Sequence, residues 1–134
     1  MLTAKTIPAV NQVELHPANP SPKLIEFLKA KGIHATAYSP LGSTDSPLYS
    51  SETVLSIAKA KGRTPQQVLL AWGLAKGFSI IPKSVSKERI EANWGLDGWE
   101  LTEEEVEKLS HIPDRFKVCQ DDWLPTKVFF GDDE

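Results

Sequence analysis

The 134-residue sequence predicts an α/β fold with parallel strands. Two observations carry this. Three short β-favouring segments alternate with helix-patterned ones, the order that produces right-handed β-α-β crossovers. Each of the three strand segments also runs into a loop or polar turn, at the strand end where ligands gather in parallel α/β architectures. Three strands leave such a sheet unfinished, because parallel sheets are covered on their faces and avoid bare edges. The pattern therefore reads as part of a larger α/β unit.

The elements follow in order. Residues 9–15 (Ala-Val-Asn-Gln-Val-Glu-Leu) form a β-favouring run closed by His16-Pro17. Ser21 is placed to cap a helix with Pro22 at its first position; Leu24, Ile25 and Leu28 give one apolar stripe, Lys23, Lys29 and Lys31 lie off it, and Gly32 ends it in a left-handed conformation. A second strand spans residues 33–38 and enters the loop Ser39-Pro40-Leu41-Gly42-Ser43. A helix over 52–61 stops at Gly62. Thr64 and Gln67 then have the spacing of a capping box for a helix whose buried side is Val68, Leu69, Ala71, Trp72 and Ala75, with Gly77 closing it.

The third strand is residues 78–81, leading to Pro82-Lys83-Ser84-Val85-Ser86, where Ser86 caps a short helix reaching Asn93. Thr102 and Glu105 make a second capping box, with Leu101 and Val106 as its hydrophobic staple and three acidic residues on the positive end of the helix dipole. Beyond His111-Ile112-Pro113 the tail reads as irregular, with Trp123, Phe129 and Phe130 as anchors.

Composition narrows the function classes. With 40% hydrophobic and 25% charged residues the chain is ordinary for a globular protein of one domain, covering 1–134. A net charge of −3 argues against nucleic acid or an anionic membrane as partner, since both call for a basic face. The single cysteine, Cys119, excludes an internal disulfide and a multi-thiolate zinc site, and reads as a partly buried thiol. No apolar run approaches the ~20 residues of a spanning helix, and the first residues look like neither signal peptide nor anchor; a cytoplasmic location is the expectation.

Candidate chemistry sits at the strand ends. Lys83, Ser84 and Arg89 set two cations and a hydroxyl at the start of a helix, where outward amides favour an anion. The alternative is a solvated basic helix end. Tyr38 could stack on a flat heterocycle or serve as a rim aromatic. Gln12 could read a carboxamide through paired donor and acceptor, or be a satisfied polar residue on the inner face. His16 before Pro17 could be a general base, but the sequence assigns it no carboxylate partner and it reads as structural. Neither a dinucleotide fingerprint nor a Walker-type loop is present, and no metal motif appears.

Three blocks, taken in order, sharpen this reading: residues 8–17 (PAVNQVELHP), residues 37–43 (AYSPLGS), and Ile81-Pro82-Lys83-Ser84 with Arg89 and Asn93. Over residues 7–109 the chain resembles the aldo-keto reductases in the identity, order and separation of these blocks. The resemblance implies a partial (β/α)8 barrel, with about three C-terminal β/α units, a terminal helix and an irregular tail over 110–134. It implies NADPH as cofactor. Gln12 would hold the nicotinamide carboxamide, and Tyr38 would stack on the nicotinamide ring. Ser39, Leu41 and Ser43 would line the pyrophosphate; Lys83, Ser84 and Arg89 would grip the 2′-phosphate; Asn93 would meet the adenine. Ala92 departs from the pattern, since many relatives carry an adenine-contacting Glu or Gln there.

The family's catalytic Asp, Tyr, Lys and His lie on its first four strands, which these residues do not match. The resemblance thus implies reduction of small aldehydes or ketones for the family and no catalysis by these 134 residues alone. A non-catalytic NADPH-binding or scaffold protein is the alternative, with self-association through the open sheet edges. Trp123, Leu124 and Phe129 are candidate liners of a substrate pocket.

Overall fold

The computed structural model describes residues 5–119 and Pro125. The anchors and pocket liners expected at Trp123, Leu124, Phe129 and Phe130 lie outside the described residues. Strands β1 (Val10–Glu14), β2 (His34–Tyr38) and β3 (Ser79–Ile80) form one parallel sheet in the order β1-β2-β3. Five helices accompany them: α1 (Pro22–Ala30), α2 (Glu52–Lys61), α3 (Pro65–Ala75), α4 (Lys87–Trp94) and α5 (Glu103–Ser110). A 3₁₀ turn over Pro47–Ser50, not anticipated from the sequence, precedes α2, with the Ser46 hydroxyl accepting the Leu48 amide at 3.3 Å.

Each strand is slightly shorter than its β-favouring run. Leu15, Ile33 and Phe78 leave the ladder but stay buried, because the chain turns into the core as the pairing ends. The register sets Gln12 beside Thr36 and Glu14 beside Tyr38, and Thr36 beside Ser79. Side chains alternate across the sheet. Leu15, Ala35, Ala37 and Ile80 therefore share the face that joins the hydrophobic core under the helices. The opposite face carries Gln12, Glu14, His34, Thr36, Tyr38 and Ser79. There the His34 Nε2 accepts both the Ser79 hydroxyl (2.8 Å) and the Ser79 amide (3.2 Å).

Helix ends follow the local chemistry with one exception. Both capping boxes form: Thr64 Oγ1 accepts the Gln67 amide at 3.2 Å and Gln67 Oε1 accepts the Thr64 amide at 3.1 Å. In the second, Thr102 Oγ1 and Glu105 exchange the same pair of bonds at 3.2 and 2.7 Å. Ser86 caps the Arg89 amide. Ser21, in contrast, makes no side-chain cap: its backbone is left-handed, at φ 45°, whereas a capping hydroxyl reaches the first turn from extended backbone.

Helix α3 is the hub. It packs against α2, α4, α5 and β3, so its buried arc is wider than one stripe. Leu70 is fully buried while Ala75, expected inside, is exposed at the last turn. Gly73 explains the close approach to β3, since a Cβ there would stand 2.8 Å from Ile80 Cγ2. The Trp72 indole packs edge-on to Phe78 and donates to Ser110 Oγ at 3.0 Å, which ties α3 to α5. Leu101 and Val106 both join this core. Helix α4 buries none of its residues. Among the described residues no helix is long and apolar enough to cross a membrane, and no cluster of His, Cys, Asp or Glu is arranged to hold a metal ion.

Candidate functional site

The parallel sheet brings three segments to its carboxyl edge. At the end of β1, Glu14 is buried and accepts three hydrogen bonds. These come from His16 Nε2 at 2.9 Å, from the Val118 amide at 2.6 Å and from the Cys119 amide at 2.8 Å. Burial alone pushes the Glu14 carboxyl up, but these donors outweigh it and bring the carboxyl below its ordinary value. His16 is fully buried with Phe116 stacked on its ring at 4.8 Å. With Nε2 directed at the carboxylate, Nδ1 is buried and finds no hydrogen-bond partner among the described residues. The sequence had assigned His16 no carboxylate partner; the structure supplies Glu14. Residues two apart on a strand share a face, so Glu14-Leu15-His16 contained the signal.

At the end of β2, Tyr38 is half-buried. Burial, a hydrogen bond with the Cys119 thiol and the nearby Glu14 carboxylate push its phenol up to about 12. Cys119 itself is exposed, not partly buried as expected, because it rests at the rim of the strand ends. The loop that follows has an unusual backbone. Ser39, Gly42, Ser43 and Asp45 all have positive φ, at 46°, 72°, 72° and 57°. Three of these are not glycine, and such conformations persist only where surroundings impose them. The Ser39 carbonyl accepts the Gly42 amide at 2.9 Å, and the Ser43 carbonyl accepts the Tyr49 hydroxyl at 3.3 Å. Leu41 packs against the core. At Gly42 a Cβ would fall 2.4 Å from Ser46 Oγ and 2.9 Å from Phe116 Cζ, so only glycine fits.

Beyond β3, Lys83 is exposed, and the half-buried Ser84 accepts the Ser86 amide at 3.2 Å. Arg89 is exposed one turn into α4, and Asn93 follows it four residues on, half-buried. Lys83 and Arg89 join none of the ion pairs among the described residues. Arg89 is close enough to Tyr49 for its charge to act on that phenol, whose value burial raises, Arg89 lowers and Asp45 raises. The structure sets the 39–49 loop after β2 and the start of α4 after the neighbouring strand β3. It leaves Gln12 exposed on β1, separated from β3 by β2, or about 10 Å at ordinary strand spacing. A separate cleft of about 400 Å³ between the Pro47–Thr53 stretch and residues 112–116 is lined by none of the nine candidate residues.

A positive-φ loop after β2 and two exposed cations after β3 are thus set at the carboxyl edge of a parallel sheet, and this geometry coincides with a family match. The family model for the Aldo/keto reductase family matches residues 1–114. The chain belongs to the aldo/keto reductase family. Similar members include D-galacturonate reductase of Fragaria ananassa, 47% identical over 117 residues, with 84% of this chain and 37% of that protein covered. Glycerol 2-dehydrogenase (NADP(+)) of Saccharomyces cerevisiae is 41% identical over 128 residues, covering 93% of this chain and 40% of its own length. Among solved structures, a mutant form of Gox0644 in complex with NADPH superposes with TM-score 0.78 at 33% identity, covering 83% of this chain and 40% of that one. The chain spans about two-fifths of the length of these relatives. Its three parallel strands and five helices are part of the aldo/keto reductase barrel.

Proposed function

We propose that these residues form the NADPH-binding part of an aldo-keto reductase that reduces small aldehydes or ketones. The observation that carries the reading is the pairing of two exposed cations, Lys83 and Arg89, with the positive-φ loop 39–45 at one sheet edge. A dinucleotide with a terminal phosphate ester suits both ends. In the assignment we favour, Lys83, Ser84 and Arg89 take the 2′-phosphate, with Asn93 beside the adenine. Ser39, Leu41 and Ser43 flank the pyrophosphate, Tyr38 lies under the nicotinamide, and Gln12 meets its carboxamide. The chain's own residues fit this group: Lys83 and Arg89 join no ion pair among the described residues, the half-buried Ser84 follows Lys83 in the chain, and the backbone of the loop is shaped in advance. Glu88 adds a carboxylate at the start of α4, bonded to the Ser86 hydroxyl at 2.7 Å, so the attraction for a phosphate has to come from Lys83 and Arg89.

Bound NADPH supplies a hydride to a carbonyl carbon, and the protein has to supply geometry and a proton for the oxygen. Tyr38 is unsuited to the second task. Its phenol, held near 12 and bonded to Cys119, is a weak proton donor at neutral pH. In our reading the proton donor belongs to strands these residues do not match, and the 134-residue chain binds cofactor without turning it over. The test is a titration of the purified chain with NADPH and with NADH, read by quenching of its four tryptophans. Saturable binding that prefers NADPH supports the assignment; equal binding of both, or of neither, removes it. NADPH oxidation with a nitrobenzaldehyde above the buffer blank would overturn the inactivity.

One observation favours a second reading, a non-catalytic scaffold that self-associates. Helix α4 leaves Ile90 and Trp94 53% and 84% exposed. Light scattering after size exclusion separates the two, because a monomer that binds NADPH has no use for a self-associating face.

A further inference from the structure

Segment 115–119 crosses the ends of β1 and β2 and is fastened at several points. Arg115 donates to the Pro17 carbonyl at 2.8 Å and to the Ser110 carbonyl at 3.2 Å. The Phe116 amide donates to the Ala18 carbonyl, and its ring lies between the His16 imidazole and Gly42. Val118 and Cys119 then direct successive amides at the two oxygens of one carboxylate, Glu14, with His16 as a third donor. From that anchorage the segment touches both parts of the β2 end. The Cys119 amide is bonded to Glu14, whose partner across the sheet is Tyr38, and Phe116 abuts Gly42 in the positive-φ loop.

We propose that Glu14 is a positioning residue: through the Val118 and Cys119 amides it clamps segment 115–119 over the strand ends, and so holds Tyr38 and the 39–43 loop in register. A carboxylate is the group the arrangement requires. Three donors converge on it, two on Oε1 and one on Oε2. A carboxamide in the same place turns its NH₂ toward at least one N–H and cannot satisfy all three. Charge-assisted acceptance makes these bonds stronger than their neutral counterparts. His16 keeps the carboxylate oriented, and Phe116 stacks on the buried His16 ring. The purpose of the clamp, shaping the cofactor end of the site, rests on the NADPH reading; the clamp itself does not.

The experiment is limited proteolysis of the full chain with trypsin, followed by mass spectrometry, for wild type, Glu14→Gln and Phe116→Ala. Phe116→Ala loosens the segment without touching the carboxylate, and so carries the test if Glu14→Gln does not fold. Cleavage after Arg115 and Lys117 is expected to accelerate about tenfold or more in both variants, while cleavage after Lys59, in α2, stays slow. Wild-type rates at Arg115 and Lys117 in the variants overturn the clamp. Equal acceleration at Lys59 overturns it too, since it means general unfolding. A parallel NADPH titration is expected to show affinity at least fivefold weaker in the released variants; unchanged affinity overturns the positioning role. If the wild type binds no NADPH yet the cleavage pattern is as expected, the cofactor reading fails and the clamp stands.

Discussion

The side chain of Gln67 donates to the Ala92 carbonyl at 3.1 Å, joining the first turn of α3 to the last turn of α4. The same amide group reaches the Gly95 carbonyl at 3.1 Å, while its oxygen completes the capping box with Thr64. Helix α4 buries no residue of its own. Its hold on the body of the protein therefore depends on polar contacts of this kind, and α4 is the helix that carries Arg89.

Replacing Gln67 by leucine should cost about 2 kcal/mol in urea-induced unfolding, combining a lost cap with carbonyls left unpaired. The substitution also frees α4 to shift, so any preference for NADPH over NADH should shrink with it. Retained preference would show that α4 is held by something other than Gln67.

Arg89→Ala should weaken NADPH binding by about tenfold, the value of a charge-assisted hydrogen bond at an exposed site. NADH binding and melting temperature should not change, because Arg89 is exposed and outside the core. A ligand-free check exists. Arg89 lowers the Tyr49 phenol, so its removal should raise the pH at which phenolate absorbance from that residue appears.

Gly42→Ala and Gly32→Ala make an informative pair. Both glycines have positive φ, at 72° and 68°, so both alanines incur a left-handed cost of about 1–2 kcal/mol. Only at Gly42 does the new methyl also meet Ser46 Oγ and Phe116 Cζ, whereas at Gly32 there is nothing within 4 Å. Gly42→Ala should lower the melting temperature clearly more. Equal losses would mean that Phe116 does not lie against the loop.

Acid should destabilise the protein through identifiable carboxylates. At Glu105 burial pushes the carboxyl up, but the Thr102 amide and Lys61, whose ammonium is 3.0 Å away, bring it below the ordinary 4.5. A carboxyl depressed by folding contributes stability that is complete above its unfolded value and is lost as pH falls through the folded one. Glu14 has the same sign. The melting temperature should stay level from about pH 7 to 5 and fall below about 4.5. Glu105→Gln keeps a capping-box acceptor but no titrating group, so its acid slope should be shallower; an unchanged slope would assign the loss to other residues.

What the sequence made legible was local chemistry. Thr64 with Gln67 and Thr102 with Glu105 announced their helices because both partners of each box lie within four residues. The three strand segments, their parallel order and the family resemblance were readable for a related reason, being carried by short contiguous blocks. The Ser21 cap failed because a left-handed turn at that residue, which its neighbours do not signal, takes the hydroxyl out of range. Long-range partnerships were harder. Glu14 meets Val118 and Cys119 across more than a hundred residues, a pairing no local pattern encodes. The positive φ of Ser39 and Ser43 was hidden for the opposite reason, since serine gives no sign of the left-handed backbone that glycine advertises.

The separation of Glu14 from its two amide donors also gives the protein a timetable. During synthesis Glu14 and His16 precede β2, β3 and the five helices described above. The donors at 118 and 119 arrive only after all five helices have been made. Until then the carboxylate that will be buried must stay hydrated. The bonds that hold Glu14 accordingly form only after β2, β3 and all five described helices have been synthesised.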